Sequence, residues 1–271
     1  MTNNDLQSSF LTSDQTRIFY QIDGPSDAEV VCLSHCFGSN HHYWDCHLPA
    51  VEGYRILRYD TRGHGQSDCP PGPYSLAGLA GDVIEVIDAL SIKRVHFVGV
   101  SMGGMIGQTL ALANPDRLLS LTLANSPCNY TDAQIVLWRE RAQKVQDRGI
   151  DSVKPALMER WFTDEAATER LPGYEFIDQA FSNFTAQSFD AATAAICQID
   201  TRDDLHRIEV PTLLFGSPDD PGVPVAVSEL MAERIPNASL HWLAPSRHLA
   251  TLEQVESFNR ILRSFLNGHA R

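Results

Sequence analysis

The sequence predicts an α/β protein with a mostly parallel sheet covered by helices on both faces. Three observations predict it. Short apolar runs alternate with longer helical patterns along most of the chain. The run Arg94-Val95-His96-Phe97-Val98 has the apolar, β-branched character of a central parallel strand. It leads through Gly99-Val100-Ser101-Met102-Gly103 directly into Gly104-Met105-Ile106-Gly107-Gln108-Thr109-Leu110-Ala111, a helical pattern with no loop between.

Taken in order, the expected strands are 16–21, 29–34, 54–59, 95–100, 120–124, 212–215 and 239–243. Ser75 is placed to cap a helix whose Leu76, Leu79, Val83, Ile87 and Leu90 recur at helical spacing. The last helix is expected to open on Thr251-Leu252-Glu253-Gln254, a capping box, with Val255, Phe258, Leu262 and Phe265 on one stripe. The alternation stops between Pro127 and Ile208. That stretch is helical in pattern and carries Trp138, Trp161, Phe162, Phe176, Phe181, Phe184 and Phe189. The expected organisation is therefore a core of residues 1–127 and 206–271, with residues 128–205 inserted as a helical cap over the carboxyl edge of the sheet, where ligands bind in open α/β sheets.

Composition narrows the function classes. The 271 residues are 43% hydrophobic yet contain no long apolar run, so no membrane span is expected. A net charge of −13 argues against nucleic acid or an anionic membrane as partner. The start, Met1-Thr2-Asn3-Asn4-Asp5-Leu6-Gln7, lacks the charge and apolar stretch of a secretory signal. With six cysteines and no Cys-x-x-Cys pair, this points to reduced thiols and a cytoplasmic location.

The chemistry centres on Ser101. An abrupt strand-to-helix turn strains the central residue, and a glycine two positions away on either side relieves the crowding. The serine is left exposed at the end of the sheet, with the Met102 N–H free at the helix start. A serine hydroxyl needs a base, and the base needs a carboxylate to orient it. His248, directly after the last expected strand, is the expected base; His241 lies within that strand and is expected to be structural. Gly216-Ser217-Pro218-Asp219-Asp220-Pro221-Gly222-Val223-Pro224 offers two acids. Adjacent side chains cannot both reach one imidazole, and the prolines after Asp220 fix its backbone, so Asp220 is favoured over Asp219.

The loop His35-Cys36-Phe37-Gly38-Ser39 should supply the second oxyanion donor, the Phe37 N–H, beside that of Met102. His35, Cys36, His41, His42, Asp45, Cys46 and His47 cluster along this stretch, but their spacings match no zinc signature, so no metal is expected. Asp60-Thr61-Arg62-Gly63-His64-Gly65 is expected to be a structural turn, with Arg62 or His64 bonded to neighbouring loops.

At these residues the chain resembles the α/β-hydrolases, and within them the 3-oxoadipate enol-lactonase branch. The resemblance rests on Tyr54-Arg55-Ile56-Leu57-Arg58-Tyr59-Asp60-Thr61-Arg62-Gly63-His64-Gly65, the elbow with Met102-Gly103-Gly104-Met105, Leu123-Ala124-Asn125, Glu159-Arg160-Trp161-Phe162-Thr163 and Pro211-Thr212-Leu213. It spans most of the chain, loosening in the middle of the cap. Followed without a gap from Pro211, it puts the family's catalytic aspartate on Asp220. It departs at the oxyanion loop, where those lactonases carry Asn-Ser-Leu-Gly and this chain has His35-Cys36-Phe37-Gly38. The resemblance implies cofactor-free hydrolysis of a small lactone or ester. C–C bond hydrolysis and perhydrolysis use the same three side chains. A ligand receptor that kept the shell is the alternative of another class, told apart by turnover. Expected substrate contacts are His35, Trp138 and Trp161. The family's substrate carries a carboxylate, for which Arg139, Arg141 and Arg160 are the candidate cations, although the acidic residues on their helices favour exposed surface positions for all three.

Overall fold

The structure is a computed structural model that describes residues 6–270; the stretch 1–5, read above for a secretory signal, lies outside the described residues. Its strands are β1 (Leu6–Leu11), β2 (Arg17–Asp23), β3 (Val30–Ser34), β4 (Arg55–Tyr59), β5 (Val95–Val100), β6 (Leu118–Ala124), β7 (Thr212–Gly216) and β8 (Ala238–Trp242). They form one sheet in the order β1-β2-β4-β3-β5-β6-β7-β8. β1–β2 and β2–β4 pair antiparallel, and every other pairing is parallel. Every residue of β3, β5 and β7 is buried, as strands covered on both faces require.

The helices are α1 (Leu76–Ala89), α2 (Met102–Ala113), α3 (Asp132–Arg148), α4 (Lys154–Trp161), α5 (Asp164–Thr168), α6 (Pro172–Ser182), α7 (Ala186–Ile196), α8 (Val225–Arg234), α9 (Ala250–Glu253) and α10 (Val255–His269). The hydroxyl of Ser75 accepts from the Gly78 N–H at the start of α1. Helices α3–α7 all lie between β6 and β7. The two ends of this insertion are stitched together: Asn129 bridges Asp200, and the Thr201 N–H donates to the Cys128 carbonyl at 2.8 Å. No helix among the described residues is long and apolar enough to cross a membrane.

Two local expectations are corrected. β1 is an additional strand at the sheet edge. Its Gln7-Ser8-Ser9 centre has little β-propensity, and pairing with β2 through the hairpin at Gln15 (φ +66°) supplies what the sequence pattern lacks. The expected capping box at Thr251 does not form. Thr251 is buried inside α9 with its hydroxyl on the Tyr43 hydroxyl at 2.6 Å, and the Gln254 amide donates to the Pro245 carbonyl at 2.7 Å. Tertiary partners win over the local cap, and α10 starts afresh at Val255. In α10, Phe258, Leu262 and Leu266 are buried, while Val255 and Phe265 are half-buried.

Two buried histidines give the fold a pH dependence. Burial pushes His47 down to about 4 and His64 down to about 3, from an ordinary 6.5. Above pH 6.5 both the folded and unfolded chains hold these rings neutral. Below it the unfolded chain takes up protons that the folded chain refuses, so stability falls with pH. Urea unfolding at pH 5.5 should give about 2–3 kcal/mol less stability than at pH 7.5 from these two rings together. Equal stability at the two values would contradict this account.

Candidate active site

Ser101 joins β5 to α2 with φ +53° and ψ −114°, a region that a side chain with a Cβ adopts only when its surroundings force it. The surroundings are closely packed. The Ser101 N–H donates to the Ala124 carbonyl at 2.9 Å, and its carbonyl accepts from the Met105 N–H at 3.0 Å. A Cβ at Gly99 would run into the Gly103 carbonyl, and one at Gly103 into that of Ser34 on β3. Glycine at both positions is thus a matter of space, and it lets the turn close tightly enough to lift the serine hydroxyl off the sheet.

His248 follows β8, and its Nε2 lies 2.8 Å from Ser101 Oγ. Its Nδ1 lies 2.8 Å from Asp220 Oδ2. An ionised Asp220 accepts a hydrogen bond from the Nδ1–H, leaving Nε2 to accept from the serine hydroxyl. Asp220 is held by Gly222 N–H at 2.7 Å and Val223 N–H at 3.1 Å on Oδ1, and by the Asn125 amide at 3.0 Å on Oδ2. Burial alone would raise the Asp220 pKa. The charge and hydrogen bond of His248, with the Asn125 and Gly222 donors, outweigh it and hold the carboxyl below its ordinary value. Asp219 is exposed. The Asp220 and His248 loops are themselves tied together, the Ser217 hydroxyl donating to the Ser246 carbonyl. Asn125, just after β6, completes the Asp220 cradle with its amide, a role for which the sequence carries no signal.

The candidate oxyanion loop is built around His35. Its Nδ1 donates to the Cys36 carbonyl at 2.8 Å, and its Nε2 accepts from the Thr61 N–H at 3.0 Å. Burial first of all lowers its pKa, consistent with the neutral ring that these two partners demand. Because the Cys36–Phe37 peptide is planar and trans, fixing the Cys36 carbonyl on His35 turns the Phe37 N–H to the opposite side. His35 itself is fully buried and lines neither cavity described below, which corrects the expectation that it touches substrate: both ring nitrogens are already occupied. The Met102 N–H, first in α2, has no acceptor within the helix ladder. The other imidazoles of this stretch have separate partners: His41 on Asp60, His42 on Asp45 and His47 on Asn259. Among the described residues no His, Cys, Asp and Glu cluster has metal-binding geometry. In the turn after β4, Arg62 pairs with Asp82 and Asp14, and His64 Nδ1 lies 3.1 Å from the Arg62 carbonyl.

An inner cavity is lined by Cys36, Phe37, Ser101, Met102, Met105, Tyr130, Trp138, Trp161, Ile196, His248 and Leu249. It brings Ser101, His248 and both candidate oxyanion residues to one space with the two expected tryptophans. Of the remaining aromatics, Phe181, Phe184 and Phe189 pack around the Phe37 ring, with centroids 6.4, 5.1 and 5.0 Å away. They anchor the insertion to the Phe37 loop. An outer cleft shares Tyr130, Trp138, Trp161 and His248 with the inner cavity and adds Gln134, Leu137, Arg141, Leu157, Arg160 and Gly222. Tyr130 had no sequence signal.

The three arginines of the insertion separate. Arg139 is exposed on a different groove, beside Asp190 and Cys197. Arg141 and Arg160, also expected at the surface, are half-buried in the outer cleft. Arg141 lies 5.1 Å from the Trp138 ring centroid, and Arg160 donates to the Pro221 carbonyl at 2.8 Å. Neither is among the ion pairs of the described residues. Burial, and then repulsion from Arg160, lowers the Arg141 pKa.

Residues 29–255 match the family model of the alpha/beta hydrolase fold. The chain is 31% identical to 3-oxoadipate enol-lactonase 2 of Acinetobacter baylyi, over 94% of this chain and 95% of that protein. The crystal structure of a hydrolase from Pseudomonas aeruginosa PA01 superposes with a TM-score of 0.92 at 35% identity, covering 97% of this chain and 99% of that one. That of the enol-lactonase from Burkholderia xenovorans LB400 gives 0.91 at 30% identity, covering 96% and 100%.

Proposed function

The chain belongs to the α/β-hydrolase family, and within it we propose that it cleaves small lactones or carboxylic esters through an acyl-enzyme on Ser101, preferring substrates that carry a carboxylate. The observation that carries the hydrolytic reading is the hydrogen-bonded series Ser101–His248–Asp220 opening on one cavity. Ser101 Oγ attacks the carbonyl while His248 Nε2 takes its proton, and Asp220 stabilises the imidazolium that forms. The N–H groups of Met102 and Phe37 receive the charge that develops on the carbonyl oxygen. His248 returns its proton to the leaving oxygen, then deprotonates the water that releases the acid. In a lactone the leaving oxygen stays attached to the acyl group, so one hydroxy acid, or its keto tautomer from an enol-lactone, is the product. On this reading α3–α7 act as the cap that shapes the cavity.

The charge preference rests on Arg141 and Arg160. The two neighbouring guanidiniums have no carboxylate partner among the described residues and repel one another in the free protein. A substrate carboxylate in the outer cleft relieves their repulsion while the scissile carbonyl occupies the inner cavity. Similarity to proteins named enol-lactonases supports the same substrate class. The test compares a carboxylated enol-lactone with its methyl ester. The charged form should have the higher kcat/KM, by about 10-fold or more, the worth of one charge-assisted contact. In Arg141→Met and Arg160→Met that advantage should shrink through KM. A preference for the methyl ester would overturn the carboxylate reading and leave a neutral ester or lactone hydrolase; failure to hydrolyse any lactone or ester would overturn the whole.

A further inference from the structure

The loop that carries His248 is bonded on both sides to the helical insertion, and we infer that Glu253 is a positioning residue that sets the alignment of His248 with Ser101. This rests on His248 being the base. Residues between two elements hold one geometry only where their backbone finds partners. On one side of His248, the Arg247 N–H donates to Glu253 Oε2 at 2.8 Å. On the other, the Leu249 N–H donates to the Trp161 carbonyl at 3.0 Å. The second oxygen of Glu253 accepts from Thr163, from its N–H at 2.9 Å and its hydroxyl at 2.6 Å. Thr163 is the residue whose hydroxyl caps α5.

One carboxylate therefore bridges the residue next to His248 and the junction of α4 with α5. The Arg247 side chain returns along the same junction, its guanidinium donating to the carbonyls of Glu159 at 2.8 Å and Phe162 at 2.9 Å, and to Asp164 at 3.1 Å. Trp161, whose side chain lines the inner cavity, lies within this clamp. The wall against the substrate and the base that activates the serine are thus held by one set of bonds. Glu253 lines neither cavity, so it acts through His248 and not on the substrate. All three groups on Glu253 are donors, so only a group accepting at both oxygens satisfies them. Glu253→Gln keeps the volume but turns an NH2 toward one set of donors.

The test measures steady-state kinetics of Glu253→Gln and Thr163→Val, with competent sites counted by stoichiometric phosphonylation so that unfolded protein does not enter kcat. Loss of alignment should lower kcat of Glu253→Gln by about 10- to 100-fold. KM should change far less than kcat, because Arg141, Arg160 and Trp138 are untouched and the Leu249 N–H still holds the Trp161 carbonyl. Thr163→Val should move kcat in the same direction by a smaller factor. Unchanged kcat per competent site in both variants, even with a lower melting temperature, would overturn the inference and leave Glu253 a purely structural clamp. His248→Ala separates this failure from that of the underlying reading: near-normal turnover in His248→Ala removes the base itself.

Discussion

Replacing Ser101 with alanine should lower kcat by about 10⁴-fold or more. The substitution deletes only the oxygen that lies 2.8 Å from His248 Nε2. The turn itself is held by the Ala124 carbonyl, the Met105 N–H and the contacts at Gly99 and Gly103, none of which involves the hydroxyl. Substrate binding should therefore survive: KM stays within a few-fold while the acyl-transfer step is lost. Any residual hydrolysis would come from water attacking directly beside the candidate oxyanion donors. A folded Ser101→Ala protein with near-normal turnover would rule out the serine mechanism.

The second large effect separates two neighbouring acids. Asp220→Asn should cost turnover by about 10⁴-fold, whereas Asp219→Asn should leave it within about twofold. At position 220 the amide has one acceptor oxygen for two sets of donors. If the oxygen stays with the Gly222 and Val223 N–H groups, the NH2 faces both the Asn125 amide and His248 Nδ1. The imidazole then loses the partner that keeps its proton on Nδ1, and Nε2 no longer accepts from Ser101. Asp219, exposed to solvent, imposes nothing on the ring. Greater damage from Asp219→Asn than from Asp220→Asn would contradict this assignment. Side-by-side kcat values for the two purified variants decide it.

The parts of the site that could be read from the sequence are those fixed by contiguous residues. The elbow is one: a strand, a Gly-x-Ser-x-Gly turn and a helix follow one another, and the packing that demands Gly99 and Gly103 is local to that turn and to β3. Asp220 is another, since the prolines around it shape the very turn whose Gly222 and Val223 N–H groups hold its carboxylate. The sheet was legible wherever strands are buried on both faces, and its faint edge strand β1 was not. Long-range partners escaped. Arg141 and Arg160 lie on α3 and α4, and only the packing of the folded chain brings them to one cleft, so neither helix alone signals it. His35 looked like a ligand-facing histidine because it opens the candidate oxyanion loop, yet Thr61 and Cys36 claim both its nitrogens. Thr251 looked like the cap of a box with Gln254 three residues on, but Tyr43 takes the threonine hydroxyl. In each case a polar side chain with a plausible local partner found a better one from a distant part of the chain.

The central claim is that Ser101 forms the covalent bond to the acyl group. It is tested most directly by treating the enzyme with a p-nitrophenyl phosphonate ester and locating the stable adduct by peptide mass spectrometry. One equivalent on Ser101, formed in step with loss of hydrolytic activity and absent from Ser101→Ala, is the predicted result. Inactivation with the adduct on any other residue, or full activity in protein labelled at Ser101, would contradict it.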